Sequence, residues 1–299
     1  MAGLLSVSGC SATKPASNEP AKPVIGAALL TQTHIFYQDM VAAMQRSADE
    51  MGFQLRPQYA EFDSRRQNDQ IEIFIAQGVD ALIVAPTDSS GVAPVIAQAR
   101  AAGIPVFTAD IAAHGSDVVS HVASDNVHGG RLLAEYLAQQ LKGKGKIAII
   151  DHPTVASVQD RTKGFLEGLA KYPEMSVVQR VPGEGQRDRA LRATQDLLQA
   201  QPDLDAIFGI NDDSALGALA AVEAAGLADK IIIVGFDGTP EAREVIAQGK
   251  ALKADAVQFP EKIGGKTIEI IAKHLRGESV PAVVPVEVAL ITQESLAAE

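Results

Sequence analysis

The chain has 299 residues, a formal net charge of −11 and a pI near 5.0. An acidic surface repels phosphate backbones, which disfavours nucleic acid as a partner, and a single cysteine, Cys10, excludes an intrachain disulfide. The length allows two domains or one large one, and no stretch reaches the ~18–20 uninterrupted apolar residues of a membrane span.

The chain opens with "MAGLLSVSGC" and continues "SATKPASNEPAKP". A short apolar run, two small residues, a cysteine and a Ser/Pro/Ala/Lys-rich linker follow in that order. "VSGC" (7–10) resembles a bacterial lipobox, so Cys10 is the expected lipidation site and residues 1–23 a lipoprotein signal remnant with a flexible tether. The charged n-region of a signal peptide is missing here, and the bland alternative is an unstructured terminus with a stray thiol.

From residue 24 apolar runs alternate with amphipathic ones. "VIGAALL" (24–30) reads as a strand, and "YQDMVAAMQRSADEMG" (37–52) spaces Met40, Val41, Met44, Ala48 and Met51 for a helix. "DALIVAP" (80–86) is a strand and "SSGVAPVIAQARAAG" (89–103) a helix, followed by strands "IPVFTAD" (104–110) and "DVVSHVASD" (117–125). The cycle restarts with "KIAIID" (146–151), "DAIFGIND" (205–212) and "KIIIVGFD" (230–237). Short apolar strands alternating with helices predict an α/β fold of doubly wound parallel sheets, with sites at the carboxyl ends of the strands. The halves echo each other: "DALIVAPTDS" (80–89) matches "DAIFGINDDS" (205–214), and "IPVFTAD" matches "IIIVGFD". Two similar lobes facing each other across a cleft would aim Asp110 and Asp237 into it.

No nucleophile elbow, phosphate-binding glycine loop or dinucleotide fingerprint is present. The six histidines are scattered and lack cysteines at metal spacing, so neither a metal nor a cofactor is expected. Asp212 or Asp213 is expected to cap the helix at 214–226. The groups at the remaining strand ends are Asp110, Asn211, Asp237 and, in "ADAVQFP", Gln258. Carboxylates that only accept hydrogen bonds, beside amides that do both, suit a ligand made of hydroxyls. Phe36 and Tyr37 in "THIFYQD" (33–39) offer apolar faces for a sugar ring, or else pack at a helix start.

The segments "APTDS" (85–89), "VVSHVASDNVHGG" (118–130), "NDDSALGAL" (211–219) and "VGFDGTPE" (234–241) resemble those of the ribose/galactose-type class I periplasmic sugar-binding proteins of ABC importers. The resemblance spans residues 24 to 292 and implies the type I periplasmic binding protein fold: two doubly wound parallel-sheet lobes joined by a three-stranded hinge. One lobe would be 24–124 plus 259–287 and the other 125–258 plus 288–299, with crossings near 124–126, 257–260 and 286–289. It further implies sugar-contacting roles for His34, Phe36, Tyr37, Asp110, Gln159, Asn211, Asp237 and Gln258.

Several positions depart from the ribose-binding pattern. Ile111 stands where an arginine follows the first aspartate, His34 replaces an asparagine, and a third aromatic falls on Gly185 or its neighbours. A second arginine falls on Gln159 in "SVQDRTKGF" (157–165), with Arg161 two residues on. Fewer guanidinium groups change the hydrogen-bonding code, so a polyol, a deoxy sugar or another pentose or hexose fits as well as ribose.

The implied function is extracytoplasmic capture of a small sugar or polyol by hinge closure. The expected partner is an ABC permease, and the protein is expected to be a monomer in the periplasm or at the outer face of a bacterial membrane. A sensor partner of a chemoreceptor would use the same site. A LacI-type regulator shares the core but needs a DNA-binding headpiece, which the Ser/Pro/Ala-rich residues before Val24 do not resemble. A glycosidase could use paired carboxylates, but the resemblance gives Asp110 and Asp237 a binding role. Cys10→Ala is expected to release the protein from membranes; fractionation that still finds the variant on membranes would contradict the lipobox reading.

Overall fold

A computed structural model describes residues 22–298; Cys10 and most of the expected tether lie outside the described residues. The first half runs β1 (Val24–Leu29), α1 (Ile35–Glu50), β2 (Gln54–Tyr59), α2 (Ser64–Gln77), β3 (Ala81–Val84), α3 (Ala93–Ala101), β4 (Val106–Ala109) and β5 (Ser120–Ser124). The second runs α4 (Asn126–Gln140), β6 (Lys144–Asp151), α5 (Ala156–Leu169), β7 (Glu174–Pro182), α6 (Arg187–Ala200), β8 (Ala206–Gly209), α7 (Asp212–Ala224), β9 (Ile232–Asp237), α8 (Pro240–Ala247) and β10 (Leu252–Val257). α9 (Pro260–Leu275), β11 (Val283–Val286), β12 (Ala289–Thr292) and α10 (Gln293–Leu296) complete the described residues.

The strands form two six-stranded sheets, ordered β11-β5-β4-β3-β1-β2 and β12-β10-β9-β8-β6-β7. All pairings are parallel except that of β12 with β10. The central strands β3 ("ALIV") and β8 ("AIFG") are apolar throughout because both of their faces are covered. β2 ("QLRPQY") and β7 are half-exposed edge strands, and the proline inside β2 is tolerated at that edge. Their polar residues are why the apolar-run pattern passes over them.

The chain changes sheets three times. It leaves the first sheet at Asp125, where α4 begins and packs on α5 and β10; it returns after Val257, where α9 packs on α1, β4 and β5. Between Val286 and Ala289 it passes from β11 in the first sheet to β12 in the second. These three crossings connect two parallel-sheet α/β lobes. In each sheet the strand order reverses beside the first strand, β1 or β6, which opens a crevice at the carboxyl ends.

α4 and α5 touch backbone to backbone. A Cβ on Gly130 would lie 2.0 Å from the Arg161 carbonyl oxygen, and one on Gly164 would lie 1.9 Å from that of Val127. Both positions must therefore be glycine, and their contact sets where the first turns of α5 project. Gly164→Ala should destabilise the protein by roughly 2 kcal/mol or more through forced separation of the helices. A urea midpoint unchanged from wild type would contradict this.

Candidate functional site

The carboxyl ends of both sheets border one cavity of about 480 Å³, mouth included. The loop after β1 contributes His34, Phe36 and Tyr37; the end of β4 contributes Asp110; Asn211, Asp237 and Gln258 follow β8, β9 and β10. Seven of the eight residues expected to contact a ligand thus line one cavity. The lobes already meet at its rim: Ser89 N donates to the Thr154 carbonyl at 3.0 Å, and Ala156 N donates to Ser89 Oγ at 2.9 Å.

His34 caps α1 through its ring: Nδ1 accepts from Phe36 N at 3.2 Å, so Nε2 carries the ring proton and points to Asp237 Oδ2 at 3.4 Å. Phe36 and Tyr37 stand edge to face with centroids 5.4 Å apart. The Tyr37 hydroxyl donates to Asp110 Oδ2 at 2.7 Å, while Asp110 Oδ1 is buried with no partner among the described residues. Burial pushes the Asp110 carboxyl up from its usual range, and the Arg161 guanidinium acts against that.

Asp110 and Asp237 occupy equivalent strand ends, and both hold positive φ, 65° and 129°. Such conformations cost non-glycine residues of order 1–3 kcal/mol and concentrate at functional sites. Gln258 Nε2 donates to Asp237 Oδ1 at 2.6 Å, and Asp212 N approaches Oδ2 at 3.5 Å. Burial pushes the Asp237 carboxyl up to about 7, against the pull of His34 and Arg161.

Two expectations need correction. Gln159 does not reach the cavity; it is exposed, and its Nε2 donates to the Pro153 carbonyl at 2.8 Å. Two residues along a helix rotate a side chain by about 200°, so the buried face of α5 carries Arg161 instead. Arg161 donates through Nε to Asn126 Oδ1 (2.8 Å) and through Nη1 to the Ile210 carbonyl (2.7 Å), lies 4.0 Å over the Phe236 ring, and brings Nη1 to 3.7 Å from Asp237 Oδ1. The cap of α7 is neither Asp212 nor Asp213 but Asn211, which is extended and accepts from Ser214 N at 2.9 Å.

Reading the sequence also missed Phe62, His152 and Ser157, which line the cavity. Phe62 is carried on a left-handed turn (Glu61 φ 52°, Phe62 φ 63°) tied to β1 by Thr31 Oγ1 donating to Glu61 at 2.6 Å. It supplies an aromatic from the first lobe, whereas Gly185 lines the second without a side chain. The signal was "AEFD", an aromatic in the turn just past a strand. Burial lowers His152 to about 4, so it is a neutral imidazole.

Beneath Asp237 lies a second layer of acid. Asp212 Oδ2 accepts from Thr239 N at 2.7 Å, fixing the turn after Asp237, while Asp212 Oδ1 and both oxygens of Asp255 meet no ordinary donor. A Cβ on Gly235 would lie 2.5 Å from Asp255 Oδ2 and 3.1 Å from Asp212 Oδ1, so both oxygens border the same spot on β9. Burial and the adjoining Asp212 push Asp255 well above the usual carboxylate range. A carboxyl held protonated at Asp255 can donate to the facing Asp212 oxygen, which would give Asp212 Oδ1 a donor while leaving one Asp255 oxygen without a partner among the described residues.

Comparison with known proteins identifies the family and the fold. A family model described as "Periplasmic binding protein domain" matches residues 25–279. The chain is 35% identical to the ribose import binding protein of Salmonella typhimurium over 98% of both chains. Among solved structures, an ABC transporter periplasmic solute-binding protein of Actinobacillus succinogenes with bound D-allose matches with a TM-score of 0.83 at 32% identity, covering 93% of this chain and 100% of that one. A solute-binding protein of Mycobacterium smegmatis with bound glycerol matches with a TM-score of 0.87 at 34% identity, covering 93% and 96%.

Asp237 titrates near 7 when folded against 3.8 unperturbed. Between those values the folded state binds more protons than the unfolded one, so this group's contribution to stability falls as pH rises from about 4 to about 7. The stability difference between wild type and Asp237→Asn should therefore move against wild type across that window, and a pH-independent difference would contradict the assignment. Asp255→Asn keeps a donor for Asp212 and should leave stability near wild type, whereas Asp255→Leu leaves Asp212 Oδ1 bare and should cost about 1–3 kcal/mol. Equal denaturation midpoints for the two variants would refute donation from Asp255 to Asp212.

Proposed function

The chain belongs to the periplasmic sugar-binding proteins of ABC importers, and on that premise we propose that it captures a monosaccharide or polyol by closing its lobes around it. It is a solute-binding protein and not an enzyme. The observation that carries the reading is the pair Asp110 and Asp237, buried on opposite lobes and facing one cavity. Relatives that bind ribose, allose and glycerol support a small polyhydroxylated ligand.

In this reading the sugar's hydroxyls donate to Asp110 and Asp237, with Asn211, Gln258, Arg161 and His34 completing the network and Phe36 and Tyr37 bounding its apolar face. A ligand favours closure only by as much as it binds the closed form better, and contact with both carboxylates supplies that difference. The lobes proposed are 24–124 with 259–287 and 125–258 with 288–299. The closed form is the one presented to an ABC permease, the receptor acts as a monomer in the periplasm, and acyl chains on Cys10 hold it at the membrane face.

The test is a dye-based thermal shift, since the chain lacks tryptophan, against pentoses, hexoses, deoxy sugars, polyols and inositols. Ligand at 100 times its Kd adds about 2.7 kcal/mol, a shift of several degrees; a flat panel would sink the proposal. Asp237→Ala should weaken binding by about 2 kcal/mol or more, because it removes a charge-assisted acceptor. Sugar donors favour the ionised carboxylate, so they lower its pKa from about 7, and wild-type affinity should rise with pH up to about 7 and then level. Titration calorimetry giving the same Kd at pH 5.5 and 8 would contradict Asp237 as acceptor.

A further inference from the structure

The cavity's polar atoms are largely committed to one another. Tyr37 Oη holds Asp110 Oδ2, Gln258 Nε2 holds Asp237 Oδ1, and Asn211 Oδ1 caps α7. The buried oxygens there without any partner are Asp110 Oδ1 and Gln258 Oε1, and Asp237 Oδ2 makes only long contacts at 3.4–3.5 Å. Those three oxygens, with the Ser157 hydroxyl, are the acceptors this end of the lining leaves for hydroxyl donors.

The rest of the lining is different in kind. Ile111, Val155 and Val158 border the same cavity and are each at most 4% exposed. Ile111 follows Asp110 directly, and Val155 and Val158 sit at the start of α5, drawn to the first lobe by the Ala156–Ser89 hydrogen bond. Ser157, between them in sequence, also borders the neighbouring pocket with Asp110, Ser124 and Asn126, so it serves the carboxylate end. A hydroxyl pressed against Ile111, Val155 and Val158 would lose its water and gain no partner.

We infer that the ligand turns an apolar edge, a deoxy carbon or a methyl group, to Ile111, Val155 and Val158, so that this receptor selects a deoxy sugar over its fully hydroxylated parent. This rests on the sugar-binding reading above and narrows its ligand class. Ile111 is the residue that sets the preference, because any side chain with a donor at that position, next to Asp110, would restore a partner for the extra hydroxyl.

Matched pairs test it by titration calorimetry: 2-deoxy-D-ribose and 5-deoxy-D-ribose against D-ribose, L-fucose against L-galactose, and L-rhamnose against L-mannose. In the pair that binds most tightly the deoxy member should be favoured by about tenfold or more, the scale on which a hydrophobic pocket discriminates. Ile111→Arg should shrink or reverse that ratio, and Ile111→Thr, a smaller change, should shrink it if the arginine variant does not fold. Binding in which the parent sugar equals or exceeds its deoxy partner in every pair would overturn this inference and leave sugar binding intact. No binding by any member or by the wider panel of sugars, polyols and inositols, with the wild-type protein folded by circular dichroism, would overturn the sugar-binding reading and this inference with it.

Discussion

Two carboxylates, Asp110 and Asp237, close corresponding strands of the two sheets on backbone that resists any side chain but hydrogen. Both are more than nine-tenths buried, and neither has a full set of donors within the protein. A buried carboxylate without donors is among the costliest things a fold can hold. The rest of the architecture makes that tolerable: Tyr37 and Gln258 each give one hydrogen bond, and Arg161 stands 3.7 Å from Asp237. What remains unsatisfied is what, under the proposed function, a ligand with several hydroxyls would provide once both lobes contact the same molecule.

Arg161 is held by features distant in sequence. The glycines at 130 and 164 let α4 and α5 touch, Asn126 at the start of α4 accepts from Nε, and the Ile210 carbonyl past β8 accepts from Nη1. Asp255 and Asp212 form a comparable support under Asp237, in which Asp212 accepts from Thr239 N while burial and the adjoining Asp212 push the Asp255 carboxyl upward. The site thus consists of a layer facing the cavity and a layer behind it that fixes its geometry, both assembled from the carboxyl ends of parallel strands.

Much of this was legible in the sequence because strand ends announce themselves. Apolar runs stopping at Asp110, Asn211, Asp237 and Gln258 gave both the fold class and the polar half of the cavity. Helix positions were less legible: choosing Gln159 over Arg161 in α5 selects the opposite face, and nothing local in "SVQDRTKGF" says which face is buried. Capping by Asn211 instead of Asp212 or Asp213 follows from where β8 ends, a boundary that propensity resolves only to within a residue or two. Asp255 sits inside an apolar strand where alternation would have it solvated; its burial depends on a neighbour 43 positions earlier in the chain, Asp212, that no window could include.

The most direct measurement is a crystal structure of the protein with the best ligand from the carbohydrate panel. The account predicts one molecule in the cavity whose hydroxyls lie within hydrogen-bonding distance of both Asp110 Oδ1 and Asp237. A ligand held by one lobe alone, or seated elsewhere with Asp110 Oδ1 still without a partner, would contradict it.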